Sequence, residues 1–459
     1  MLQVVSPFDF HLIKEIPWTM PDVIESTLAR AYRLSRDSKK GIPAWRRIEI
    51  LEKVVEIMEL RKIELTNIAA EEGGKPAIDT AIEVDRAIGG VKIAIETISQ
   101  LSGEQIPMGQ TKSSVGRIAF TIREPIGVVV SISAFNHPLN LIIHQTVTAI
   151  AAGCPVIIKP ALTTPLSCLE FMDILSEAGL PEGWCTCVIC NDEMAEKLAT
   201  DTRVGYFSFI GSAKVGWYLR SKLSPGTRCA LEHGGVAPVI VEPDANIEEL
   251  VPSIIKGGMY HAGQVCVSVQ RVFIHKKIIG KVAERMVLAA EKLIVGDPVD
   301  QNTEVGPLIL PKEVNRVEKW VDKAAMTGGK ILCGGKRISK SCFEPTIILN
   351  PSADTLVSTN EVFGPIICLY EYTELDKAIE IANSLPMAFQ ASVFTKNIDT
   401  AFKVSKTINA SSVLVNDHTA FRVDWMPFGG RDSSGIGVGG IPYSIKEMTR
   451  EKLIVIKTD

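Results

Sequence analysis

Residues 125–140 read PIGVVVSISAFNHPLN. Positions 126–133 form an apolar run with no polar alternation. A strand reads that way when both of its faces are buried, as in a parallel sheet. Asn136-His137-Pro138 ends the run, and 137–152 then carries the texture of a helix. The same order repeats downstream. Strands at 156–158, 184–189 and 206–210 alternate with helices at 166–178, 195–200 and 214–223. Strand–helix alternation of this kind predicts an α/β protein with a doubly wound parallel sheet.

A second alternating block begins near 236. It holds strands at 238–241, 271–275, 366–370, 391–394 and 412–415, and others near 331 and 347. Helices at 279–293, 313–326 and 375–384 separate them. Upstream, 20–105 reads as helices. Thr19-Met20-Pro21-Asp22 supplies a start signal, and Ile48, Leu51, Val54, Val55 and Met58 keep helical spacing. Residues 115–123 alternate like one strand of an exposed hairpin, and a Gly-rich stretch at 429–440 precedes an apolar strand at 453–456.

A chain of 459 residues holds two or three domains and buries a large core, which excludes disorder and small disulfide scaffolds. Its 49 basic and 53 acidic residues leave no cationic excess for a nucleic acid. No apolar run reaches the roughly 18 residues of a membrane helix. Asp9, His11, Lys14 and Glu15 break up any signal-peptide core. Ten cysteines without framework spacing predict free thiols in a reducing cytoplasm.

Several residues are placed to do chemistry. Cys266 lies in HAGQVCVSVQR, a small-residue loop entering a strand; it is a nucleophile or a structural thiol. Glu232, in ALEHGGVAP, is a buried base or a turn carboxylate. Asn136 stands at the carboxyl end of a strand, as an oxyanion donor or a helix cap. Gly211-Ser212-x-x-x-Gly216 opens a helix and suits a phosphate or a plain turn. Cys185, Cys187 and Cys190 sit in an apolar strand with no partner pair, so buried thiols fit better than a metal site.

Taken together, FNHPLN (135–140), KPALTTPLS (159–167), FIGSAKVG (209–216), LEHGG (231–235), GQVC (263–266), NEVFGP (360–365) and PFGGRDSSGIG (427–437) resemble the aldehyde dehydrogenase superfamily, in the family's own order. CVSVQR and AFRVDWMPFGG resemble the branch of lactaldehyde, non-phosphorylating glyceraldehyde-3-phosphate and phosphonoacetaldehyde dehydrogenases.

The resemblance implies NAD(P)-dependent oxidation of an aldehyde to its acid. It makes Cys266 the nucleophile, Glu232 the general base and Asn136 the oxyanion donor. Lys159, Leu162, Gly211, Ser212, Gly216, Glu361 and Phe363 fall at cofactor positions, with NAD or NADP as cofactor and no metal. It also implies a Rossmann-type cofactor domain (1–106 and 126–234), an α/β catalytic domain (235–427) and a small β oligomerisation flap (107–125 and 441–459). A homodimer or homotetramer follows, with a small aldehyde as substrate and neither nucleic acid nor membrane as partner. CoA-acylating relatives lack the carboxylate at 232, so Glu232 favours water as acyl acceptor. A non-redox cysteine hydrolase would not need Lys159, Glu361 or the 211–216 turn.

Three departures stand out. Leu162 replaces the Glu that holds the adenosine ribose, so nothing at that position repels the 2′-phosphate of NADP. His233 replaces Leu beside the base and is expected to fill space. Val265 replaces the Arg that precedes the nucleophile in relatives acting on phosphorylated aldehydes. Arg422 is expected to pair with Asp424 and shape its loop. The substrate is then a neutral or singly charged aldehyde, lactaldehyde or glycolaldehyde in type.

Overall fold

The first of two parallel sheets is built around Val128–Ile132, whose five residues are all buried. Its strand order is Gly435–Ile436, Arg228–Glu232, Val204–Ile210, Val128–Ile132, Val156–Lys159 and Cys185–Cys187. Every pairing is parallel except that of Gly435–Ile436 at one edge. The computed structural model describes residues 1–37 and 39–458, so Asp459, the last residue of the expected flap, lies outside the described residues.

The second sheet runs Lys330–Cys333, Thr346–Leu349, Ile366–Tyr372, Arg271–His275, Pro238–Val241, Gln390–Phe394 and Ser412–Val415. Only Lys330–Cys333 is antiparallel to its neighbour. Each sheet has its own core. Val129, Val156, Ile158 and Phe171 pack in one, and Val239, Val272, Ile347 and Leu369 in the other.

Four helices cover residues before the first sheet: Pro21–Arg36, Ala44–Leu60, Lys62–Gly73 and Ala77–Ile98. Pro21 takes the first helical position, where its missing N–H costs nothing. Leu51, Val54 and Met58 lie in the buried stripe of the second helix as their spacing predicts, joined by Ile50, while Ile48 and Val55 are only half-buried. Gly74 ends the third with φ 73°, and a β-carbon there would lie 2.8 Å from Pro7 and 2.9 Å from Pro307.

A third, antiparallel sheet projects from the two. Thr449–Lys457 pairs along its whole length with Arg117–Pro125, from Thr449↔Pro125 to Lys457↔Arg117, and Gln105–Ile106 adds a short third strand. The expected hairpin at 107–125 is therefore a strand at 117–125 with its partner slightly upstream. The helix after Asn136 begins at Asn140 rather than 137. Pro138 biases His137 away from helical dihedrals, so the helix starts only after that turn. Other elements were not foreseen, among them the helices Ile247–Met259, Ile398–Thr407 and Ile441–Glu447 and an N-terminal ribbon of Leu2–Val5 with Leu12–Ile16.

Candidate active site

The carboxyl ends of four parallel strands in the first sheet converge on one cleft of about 900 Å³. Lys159 and Glu232 end their strands, the Gly211-Ser212 turn follows Val204–Ile210, and Asn136 follows Val128–Ile132. From the second sheet come Cys266, Glu361, Phe363 and Arg422, and all four line the same cleft. The sequence-predicted residues are thus brought together, with one exception, Gly216.

Cys266 is carried on a strained loop. The chain leaves helix Ile247–Met259 through His261 (φ 48°), Ala262 (φ 53°) and Gly263 (φ 70°). Left-handed backbone costs roughly 1–2 kcal/mol at a residue with a β-carbon. At Gly263 a β-carbon would sit 2.0 Å from the Gly364 carbonyl, so only glycine passes there. Gln264 pins the loop: its side-chain amide donates to Pro307 and accepts from the Ile309 N–H. Asn136 is buried, and its Nδ2 donates to the Gln264 carbonyl at 3.0 Å. An amide nitrogen has a second hydrogen to offer.

Burial holds the Cys266 thiol well above its ordinary range, and the negative charges of Glu232 and Glu361 add to this, while Arg422 opposes it. The resting sulfur is therefore a thiol that needs a base. Burial also raises Glu232, with Arg422 pulling the other way. Arg422 Nη1 stands 3.7 Å from Glu232 Oε1, and its guanidinium lies 3.6 Å above the centre of the Phe428 ring. Its Nε is buried without a partner.

This corrects the expected Arg422–Asp424 pair. Asp424 is taken by Arg86, which donates from Nε at 3.0 Å and Nη2 at 2.8 Å, and by His144 at 2.8 Å. The loop is shaped by that clamp, and Arg422 is left facing the cleft. Only the position of Arg86 on an apolar helix hinted at it.

The far end of the cleft suits a dinucleotide. Ser212 caps helix Ala213–Lys222 without spending its hydroxyl on the helix's own N–H groups. Glu361 is half-buried with Oε1 buried and unpartnered, and desolvation of its carboxyl pushes it up to about 8. A β-carbon on Gly234 would overlap that carboxylate at 1.7 Å. Phe363 meets Phe135 edge-on at 5.8 Å. Leu162 and Lys159 share the cleft wall with Asp192, which sequence reading did not single out. Burial lowers the Lys159 ammonium, and Asp192 counteracts this. An orphaned carboxylate oxygen, free helix N–H groups and a lysine in one groove fit ribose hydroxyls and a pyrophosphate.

Gly216 lies behind this wall. A β-carbon there would be 2.0 Å from His233 Cε1. His233 fills the space between Phe209 and Trp217, and its Nδ1 donates to the Gly211 carbonyl at 2.9 Å. Among the described residues no group of three or more His, Cys, Asp or Glu is arranged to hold a metal, and no helix is long and apolar enough to cross a membrane.

Two facing parallel sheets and a thiol at the inner end of a dinucleotide groove define a nucleotide-linked oxidoreductase. Residues 1–454 match the aldehyde dehydrogenase family model. The chain is 37% identical over 458 residues to 3-sulfolactaldehyde dehydrogenase of Priestia aryabhattai, covering 99% of this chain and 94% of that one. It is 36% identical over 460 residues to lactaldehyde dehydrogenase of Methanocaldococcus jannaschii, covering 99% and 97%. Among solved structures, glyceraldehyde-3-phosphate dehydrogenase GapN of M. jannaschii complexed with NADP superposes with a TM-score of 0.95 at 35% identity, covering 100% and 99%. Aldehyde dehydrogenase 21 of Physcomitrella patens, in complex with succinate, gives 0.96 at 32% identity, covering 100% and 95%. The chain belongs to the aldehyde dehydrogenase family. It is an oxidoreductase that converts an aldehyde to its acid with NAD or NADP.

Proposed function

We propose that this enzyme oxidises a short aldehyde bearing one anionic group, and that Arg422 grips the anion while Cys266 attacks the carbonyl. The observation that carries this is the half-buried Arg422 guanidinium, which lines the same chamber as Cys266 and Glu232 with its Nε buried and unpartnered. A half-buried guanidinium with spare donors is a carboxylate or sulfonate site. The relatives named for sulfolactaldehyde and for lactaldehyde bracket this class, one anionic and one neutral.

The chemistry follows from the residue types. Glu232 accepts the Cys266 proton, and the thiolate bonds to the carbonyl carbon. Asn136 Nδ2–H and the Cys266 backbone N–H stabilise the oxyanion. The bound nicotinamide supplies the hydride acceptor. Once Glu232 has passed that first proton to solvent, water attacks the thioester on Cys266 and gives its proton to Glu232, which returns it to the leaving sulfur as the acid departs. Lys159 and Ser212 serve the adenosine and pyrophosphate end, Glu361 and Phe363 the nicotinamide end. Gly211 lets the backbone come close, and Gly216 makes room for His233 behind it. Leu162 leaves room for the 2′-phosphate of NADP.

A second reading of Arg422 has its own support, since the 3.7 Å approach to Glu232 also makes it that base's counter-charge. Comparing kcat/KM for an anionic and a neutral hydroxyaldehyde separates the two. Arg422→Ala should cost the anionic substrate roughly 10- to 100-fold, the worth of a charge-assisted hydrogen bond, and the neutral one far less. Equal losses on both would leave the counter-charge reading standing.

The cofactor part is assigned to 1–106 and 126–234, the catalytic part to 235–427 and the flap to 107–125 with 441–459. Ten free cysteines support a reducing, cytoplasmic setting. The exposed edge of Thr449–Lys457 supports a homodimer or homotetramer.

A further inference from the structure

Helix Ala77–Ile98 is mostly buried, yet it carries Asp79, Glu83 and Arg86 at successive turns, and Asp79 and Arg86 line the cleft. Each reaches a different segment of the site. Asp79 meets Lys256 Nζ at 2.5 Å, on the helix that leads into the Cys266 loop. Arg86 clamps Asp424, beside Arg422. Glu83, 1% exposed, makes an ion pair with Lys75, which is equally buried.

The other oxygen of Glu83 accepts two backbone N–H groups, from Leu139 and Asn140, each at 3.0 Å. These are the first donors of helix Asn140–Ala152, three and four residues beyond Asn136. No side chain of the segment's own caps that helix. A carboxylate there satisfies orphan donors and complements the helix dipole. Burying an ion pair to do so is expensive when a local Ser or Asp would serve. The arrangement does something a local cap cannot: it ties the Asn136 segment to a different helix. At its other end the Asn136 amide is tied to the Gln264 carbonyl of the nucleophile loop. The amide is thus held between two fixed points.

We propose that Glu83, oriented by Lys75, is a positioning residue that fixes Asn136 for oxyanion stabilisation. The proposal rests on the reading of Asn136 as the oxyanion donor. Its signature is a loss in the chemical step with little change in binding. Glu83→Asp keeps the charge beside Lys75 and withdraws the carboxylate from the Leu139 and Asn140 N–H groups. Lys75→Met/Glu83→Gln removes both charges and guards against misfolding from a lone buried ion. Folding is checked by circular dichroism and cofactor affinity by fluorescence titration. The rate of reduced-cofactor formation is then followed in a single turnover.

Both variants should slow that rate roughly 10- to 100-fold, with KM and cofactor Kd within about threefold of wild type. In an Asn136→Ala background the Glu83→Asp change should cost less than about threefold more, because its effect passes through that amide. If Asn136→Ala alone leaves the rate unchanged, the oxyanion reading fails. If Asn136→Ala is slow but the folded Glu83 variants are as fast as wild type, or their loss is undiminished in that background, the positioning proposal is overturned. Failure of both Glu83 variants to fold overturns it too, since Glu83 would then be a folding residue.

Discussion

Glu232 is one buried carboxylate facing two opposed neighbours. The Cys266 thiol competes for its proton, and the Arg422 guanidinium steadies its charge. Burial raises its pKa above the ordinary 4.5, so it loses its charge at a higher pH than a surface carboxylate does. A base works only when ionised. Deacylation should therefore fall as pH drops through that raised value and stay full above it. Glu232→Gln should flatten this acid limb and cut steady-state kcat about 10²- to 10³-fold. Rapid mixing should show both phases slowed, the first turnover of reduced cofactor because Glu232 also takes the Cys266 proton. Wild-type turnover in the variant would falsify the base assignment. That Cys266, Glu232 and Asn136 share one cleft was legible because each sits inside a distinctive run of neighbours. Arg422 was not, because Arg422 and Asp424 stand two positions apart and the sequence invites them to pair. The fold instead delivers Arg86 to Asp424 across 338 positions, and no local pattern contains that contact.

Elements follow the same division. The strand Val128–Ile132 and the helices around it were legible because both-face burial leaves an unbroken apolar run. The strand Arg228–Glu232 was given no bounds in the sequence because it is short, begins on an exposed Arg and lies near the sheet edge. Asp79, Glu83 and Arg86 were visible as charges on an apolar helix, but only their partners give them meaning. The packing of helix Ala213–Lys222 on the first sheet depends on a contact of this kind. Gly216 leaves a gap that His233 enters, and Phe209 and Trp217 close the other sides with ring centroids at 5.8 and 5.7 Å. Gly216→Ala would place a methyl 2.0 Å from His233 Cε1, on a ring packed between Phe209 and Trp217. Overpacking of this sort costs about 1–3 kcal/mol. The denaturation midpoint should fall, and cofactor affinity should weaken because the helix carries the Ser212 turn. Unchanged stability and affinity would show that the ring swings aside.

At the scale of the whole molecule, the third sheet is the part least explained by one chain. Thr449–Lys457 is paired on one side with Arg117–Pro125, and its other edge has no partner among the described residues. Leu453, Val455 and Ile456 on it are 56%, 48% and 47% exposed, and Ile118 on its neighbour is 50% exposed. A long, apolar, open strand edge in water recruits another strand or is blunted by charge. Lys452 and Lys457 flank this apolar stretch but do not interrupt it. We propose that a second copy of the chain covers it, by pairing at the edge and burying the exposed side chains. Light scattering after size exclusion should then give a mass near two or four times the 50.0 kDa of one chain. Leu453→Glu/Val455→Glu places like charges where two copies would meet, in water-excluding surroundings where an unpaired carboxylate costs several kcal/mol. That variant should run as a smaller assembly at the same concentration. Its intrachain ladder should survive, since neither side chain is buried within its own chain. A monomeric wild type would remove the premise. An unchanged assembly in the variant would move the interface to another surface, and the apolar edge would then need a different occupant.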